Sequence, residues 1–194
     1  MKKIDILKRN KKISKTLERK KRIKTFEEIS ISQTISIFGG LIAGSILLVY
    51  IDHILLVPGL FILLPGFLEM GNAISGSLSS RISSRLHQNT LTNLIILKNI
   101  IASLLLNILT SVVLGAVIYT ISRIIFKIDN YQLFIIPIIA GLISSIIVLP
   151  LISHMVLWLY HHHDEPDNII GPIITTIGDI VNIGAILIAI IILT

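Results

Sequence analysis

Residues 167–182 read DNIIGPIITTIGDIVN, and the reading of this stretch decides the fold. It opens an apolar run that is long enough to cross a bilayer. Asp179 stands about ten residues into that run, so at about 1.5 Å per residue it lies roughly 15 Å deep, near the midplane. A carboxylate at that depth costs a few kcal/mol and persists only with a partner: a cation, a proton or a polar face on another helix. Asn168, Pro172, Thr175, Thr176, Asp179 and Asn182 recur mostly at three- and four-residue spacing, which makes one polar stripe on a greasy helix. Carboxylate, hydroxyl and amide oxygens suit a hard cation, and magnesium keeps several waters and needs only one or two carboxylates. One Asp is too little charge for a closed, dehydrated site. Two copies of the chain about a two-fold axis would bring two carboxylates together.

The rest of the chain has the composition of a membrane protein. Of its 194 residues, 53% are hydrophobic, above the apolar share of soluble domains, and the apolar residues fall in runs too long for core helices. The absence of cysteine excludes disulfides and thiolate metal sites. The formal charge of +6 conceals a sharp asymmetry, because 12 of the 17 Lys and Arg residues precede residue 25 and the remainder of the chain is net acidic. That basic arm is read as a cytoplasmic segment, residues 1–32, that fixes topology and touches anionic lipid. Ile4, Leu7, Ile13, Leu17 and Ile23 among its charges fit an amphipathic helix lying in the interface. No nucleic-acid-binding module follows the arm, so no nucleic acid is expected as a partner.

Residues 33–194 are expected to form an all-α integral membrane domain with five transmembrane helices per protomer. The spans expected are 33–51, a second beginning near Ile54, then 99–125, 131–160 and 169–193. The second contains Pro58-Gly59 and Pro65-Gly66 and runs into a polar tract of small residues ending at Arg81. Within it Asn72, Ser75, Gly76 and Ser79 share a helical face. Two readings stay open there: a helix end emerging into a Ser-rich loop, or a pore-lining segment facing Asp179. Glu69, at the same level of the chain, belongs to the ion path or to the interface. Five spans put the termini on opposite sides, with the N-terminus cytoplasmic and the C-terminus outside.

The connection His161, His162, His163, Asp164, Glu165 and Asp167 is dense in metal-ligand residue types. Consecutive histidines on a helix cannot all face one ion, so this loop is a candidate for loose cation collection rather than a catalytic zinc site. Three function classes are consistent with these features: a divalent-cation transporter, a membrane-embedded metal-dependent enzyme using this loop, and a non-transporting assembly subunit.

Two motifs then agree on a family. Residues 65–81, with Gly71-Asn72 followed by small residues, resemble the Gly-Asn signature of the membrane domain of MgtE-type magnesium transporters. Residues 166–179, PDNIIGPIITTIGD, are similar to the last-helix motif of that family and of its eukaryotic solute-carrier relatives. The resemblance implies a homodimer of five-helix protomers around a central cation pore, not an enzyme. It implies that Asp179 binds hydrated Mg²⁺ and that Thr175 and Gly171, one and two turns earlier, contribute to the same site. Gly171 lacks the side-chain oxygen that some members offer. Asn72, Ser75, Thr176, Asn182 and Glu69 are expected to line the path.

Overall fold

The computed structural model describes residues 2–162 and 166–193, and within them every regular element is a helix. In order these are α1 (Lys2–Val49), α2 (Ile51–Leu55), α3 (Leu60–His87), α4 (Asn93–Ile124), α5 (Gln132–His161) and α6 (Pro166–Leu193). Five of them hold a stretch long and apolar enough to cross a membrane: Glu18–Val49, Leu60–His87, Asn93–Ile124, Gln132–His161 and Ile169–Leu193. The chain is therefore the all-α, five-span protein expected from its hydropathy.

Three boundaries differ from expectation. The basic arm does not form a separate interfacial helix, because α1 passes through residues 25–33 without a break. At about 1.5 Å per residue its 48 residues reach about 72 Å, more than twice the hydrocarbon thickness of about 30 Å. Charge changes along that helix, but nothing in the sequence interrupts its backbone. The second span begins at Leu60 rather than Ile54, because Pro58 and Gly59 form a turn ahead of it. Gly59 has φ +88°, a left-handed conformation that glycine adopts without strain. The third span begins at Asn93, six residues early, where the Thr92 hydroxyl caps the helix by accepting from the Ile95 amide at 3.4 Å.

The Ser-rich tract is helix and not loop, since α3 continues through it to His87. α6 packs between α1, α3 and α5, and α3 also touches α4 and α5. α4 shows why the bundle holds together in lipid. Its outward face is Leu97, Ile101, Leu105, Leu109, Val113 and Val117, whereas Ser103, Asn107, Ser111, Gly115 and Ser122 are buried. Lipid removes the hydrophobic drive between helices, so small and polar residues that allow close approach face inward. A β-carbon at Gly115 would meet the Phe134 carbonyl, and one at Gly39 would meet Thr176, so these glycines set how closely α4 approaches α5 and α1 approaches α6.

The apolar interior is divided in two. One cluster contains Leu63, Phe67, Ile136, Ala140, Ile186 and Ile190. The other contains Leu78, Ile82, Leu149, Ile152, Ile170 and Ile174. On every helix from α3 to α6 polar residues stand near the boundary between the two clusters: Asn72 and Ser75, Asn107 and Ser111, Ser144 and Ser145, Asp179 and Asn182. A polar belt thus crosses the bundle at mid-span.

Candidate cation site

The site is built where α3 and α6 cross this belt. The two helices run antiparallel, with Gly71 beside Asn182 and Gly178 beside Asn72. Asp179 lies about 20 Å from either end of α6 and Asn72 about as deep in α3, which puts both side chains near the bilayer centre. The Asn72 amide Nδ2 donates to Asp179 Oδ1 at 3.0 Å. A β-carbon at Gly178 would fall against Asn72 Oδ1, so this glycine is what lets the carboxamide lie flat on α6.

Two oxygens at this point lack a protein partner among the described residues. Asn72 Oδ1 is buried and accepts nothing. The second carboxylate oxygen of half-buried Asp179 also takes no hydrogen bond from the protein. Buried acceptors left open cost free energy unless a donor, a water or a cation reaches them. Behind this pair the belt is mostly satisfied: the Ser144 hydroxyl donates to Asn182 Oδ1, and Asn107 Nδ2 donates to the Gly141 carbonyl at 2.8 Å. Asn107 Oδ1 and the Ser111 hydroxyl are the unpartnered exceptions.

The expected site residues divide into two groups. Gly171 is exposed and Thr175 and Asp179 are half-buried, so these three follow one side of α6 at four-residue spacing. Thr175 also approaches α1, with its hydroxyl donating to the Pro172 carbonyl at 2.8 Å and lying 3.4 Å from Ser36 Oγ. On α3, Glu69 is exposed, and it shares that outward face with Pro65, Ala73, Ser77 and Ser80. The second group is inside the protomer. Thr176 is buried against Gly39 and donates to the Pro172 carbonyl at 3.0 Å, Asn182 is 2% exposed, and Ser75 is 3% exposed among α3, α4 and α5. A cavity of about 210 Å³ opens between α3 and α6, lined by Gly76, Ser79, Ser80, Ile170, Gly171 and Ile174. It lies one to two turns from Asn72 and Asp179, toward the N-terminal end of α6.

The His-rich connection is described only in part. His161 and His162 are exposed at the end of α5, where a His162 ring nitrogen lies 2.8 Å from the Trp158 carbonyl and the two rings are 4.3 Å apart. His163, Asp164 and Glu165 lie outside the described residues, as does the side chain of Asp167. Among the described residues no three His, Cys, Asp or Glu side chains gather to hold a metal.

The sequence pointed to Asn72, with Gly71 beside it, and to Asp179, but not to Gly178 as the residue that seats the Asn72 carboxamide. Gly178, like Gly71 and Gly39, stands at the level of a polar side chain on the neighbouring helix, and that coincidence of level is the signal that would have identified it.

Comparison with known proteins bears on the same residues. No curated protein and no solved structure matches the chain significantly. The MgtE family model, described as a divalent cation transporter, matches residues 64–190, a segment that runs from the second turn of α3 nearly to the end of α6. That segment is well over half of the chain and contains the whole polar belt, so this five-span membrane protein belongs to the MgtE family of divalent cation transporters.

Proposed function

We propose that the chain carries Mg²⁺ as a homodimer, with the Asp179 carboxylates of the two protomers as its cation site. The observation that carries this reading is the half-buried mid-span Asp179 carboxylate, held by Asn72 through one oxygen and without a protein partner at the other among the described residues. A hydrated dication satisfies that oxygen, its charge attracted by the carboxylate, while the Asn72 amide holds the carboxylate in place. Mg²⁺ gives up inner-shell water reluctantly, so a site with few protein oxygens suits it better than it suits an ion that must be stripped.

The second copy follows from what a single protomer leaves outward. Glu69, Ser77 and Ser80 on α3 share the protomer surface with Gly171 on α6. Facing acyl chains, the Glu69 charge would cost several kcal/mol. Facing the same strip of a partner across a water-filled passage, it costs far less, and two Asp179 carboxylates balance one dication. In this reading Glu69, Asn72, Thr175, Gly171 and Asp179 border the path. Ser75, Thr176 and Asn182 hold the helices behind it. The cavity at Gly76 and Gly171 is the approach to the site from the N-terminal end of α6.

Residues 1–32 then form a basic segment on the cytoplasmic side and residues 33–194 the transport domain. Arg81, Arg85 and Lys98 flank the connection on the same side as the basic arm, in keeping with the positive-inside tendency. The family consists of transporters rather than enzymes.

The test is Mg²⁺ influx into liposomes containing the purified chain, followed with an entrapped indicator. Uptake that saturates with Mg²⁺ and that Mn²⁺ or Co²⁺ competes for is the expected result. Uptake no faster than in protein-free liposomes would overturn the proposal.

A further inference from the structure

The bundle has a second polar feature, separate from the belt and at the far end of α3. An open cleft of about 640 Å³ lies between α3 and α4, lined by Ser80, Arg81, Ser84, Arg85, Gln88 and Asn99 among others. Its lining contains two guanidinium groups, hydroxyls and two carboxamides, and no carboxylate. Arg81 is positioned rather than free: its Nε donates to the Ser77 carbonyl at 3.1 Å and its Nη2 to the Ser103 hydroxyl at 3.0 Å. Ser103 is fully buried, so one edge of the guanidinium is anchored to the interior of the bundle while the remaining N–H groups border the cleft.

Neither Arg81 nor Arg85 has a carboxylate within ion-pair distance among the described residues. The contrast with the opposite end of the bundle is direct, because Arg123 there pairs with Asp129 at 3.8 Å. Arg81 stands about 9 Å from the end of α3, which is the depth at which a bilayer passes from hydrocarbon to headgroup. A planar donor fork with its charge uncompensated, surrounded by hydroxyl and amide donors, matches the oxygens of a phosphate group.

We infer that this cleft binds a phosphate group, presented by an anionic phospholipid headgroup or by free phosphate, between Arg81 and Arg85 on α3 and Asn99 on α4. Basic pockets between transmembrane helices take phospholipid headgroups on general electrostatic grounds. Because the cleft touches both α3 and α4, an occupant would tie together the end of the helix that carries Asn72. The inference does not depend on which ion the chain transports.

The full chain in phosphatidylcholine nanodiscs, with and without phosphatidylglycerol, provides the test, with retained lipid measured by native mass spectrometry. Arg85→Gln is the first variant, since Arg85 is exposed and its side chain supports no internal hydrogen bond; Arg81→Gln is the second, and Arg123→Gln is the control outside the cleft. Wild type is expected to retain phosphatidylglycerol over phosphatidylcholine. Each cleft variant should lose about tenfold in that preference, the effect of one charge-assisted hydrogen bond, with Arg123→Gln unchanged. Inorganic phosphate added to the phosphatidylglycerol-containing nanodiscs separates the sources: displacement of phosphatidylglycerol by it shows a general phosphate site, and no displacement shows a headgroup site. Equal phosphatidylglycerol retention by wild type and Arg85→Gln, with no binding of inorganic phosphate, overturns the inference.

Discussion

Asn72 and Asp179 meet at the centre of the bundle, the amide donating to the carboxylate at 3.0 Å while its own carbonyl oxygen stays buried and unpartnered. Each side chain alone is a costly feature of an apolar helix. Together they orient one another and leave the second carboxylate oxygen without a protein partner among the described residues. The hydrogen bond fixes the carboxylate on the α3 side of α6, and the glycines beside it determine that the two helices come close enough for it to form.

Removing the amide should therefore weaken the site without abolishing it. In Asn72→Ala the carboxylate loses a charge-assisted hydrogen bond worth about 1.5–3 kcal/mol. The Mg²⁺ concentration for half-maximal flux is expected to rise about tenfold or more, measured in the liposome assay. No change would mean that the carboxylate is positioned by something else.

The glycine at position 178 supplies a stability prediction. A β-carbon there meets Asn72 Oδ1, whereas one at Gly184 meets nothing within 4 Å. Gly178→Ala should lower stability by about 1–3 kcal/mol in thermal unfolding, as over-packing does, and should reduce flux with it. Gly184→Ala should be close to neutral in both.

The dimer is testable with one introduced cysteine, since the natural chain has none. Ala73 is exposed on the outward face of α3, next to Asn72. Ala73→Cys, oxidised in native membranes, is expected to give a disulfide-linked dimer on a non-reducing gel. Leu109→Cys, on the lipid face of α4, is expected to stay monomeric.

Topology can be read by the same means. Lys20→Cys and Asn89→Cys should be protected from an impermeant maleimide in intact cells, whereas Asp52→Cys and Asp129→Cys should be labelled. All four positions are exposed. The reverse pattern would place the basic arm outside.

The five-span architecture was legible because each apolar run is long and each is bounded by charge, proline or glycine. Asp179 and Asn72 were legible because a polar residue at mid-span demands a partner, and the two helices each offered one. Helical phase was harder to read. Thr175 and Thr176 are neighbours in sequence, yet Thr175 stays half-buried while Thr176 packs into the notch left by Gly39. Asn182 follows Asp179 by less than a turn, yet it is received by Gly71 and Ser144 inside the protomer. Which polar side chain turns inward depends on a small residue on another helix, and periodicity within one helix carries no record of that. The length of α1 was missed for a related reason: a change from charged to apolar residues looks like a boundary, but helix-forming residues occupy both sides of it.

The most direct test of the account replaces the Asp179 carboxylate by its neutral isostere. Asp179→Asn keeps the volume and retains a carbonyl that can accept from Asn72, but it removes the charge that draws a dication to the middle of the membrane. Mg²⁺ influx into liposomes is predicted to fall to the protein-free rate while the variant still folds and assembles as wild type does. Influx at the wild-type rate through Asp179→Asn would contradict the claim that this carboxylate is the cation site.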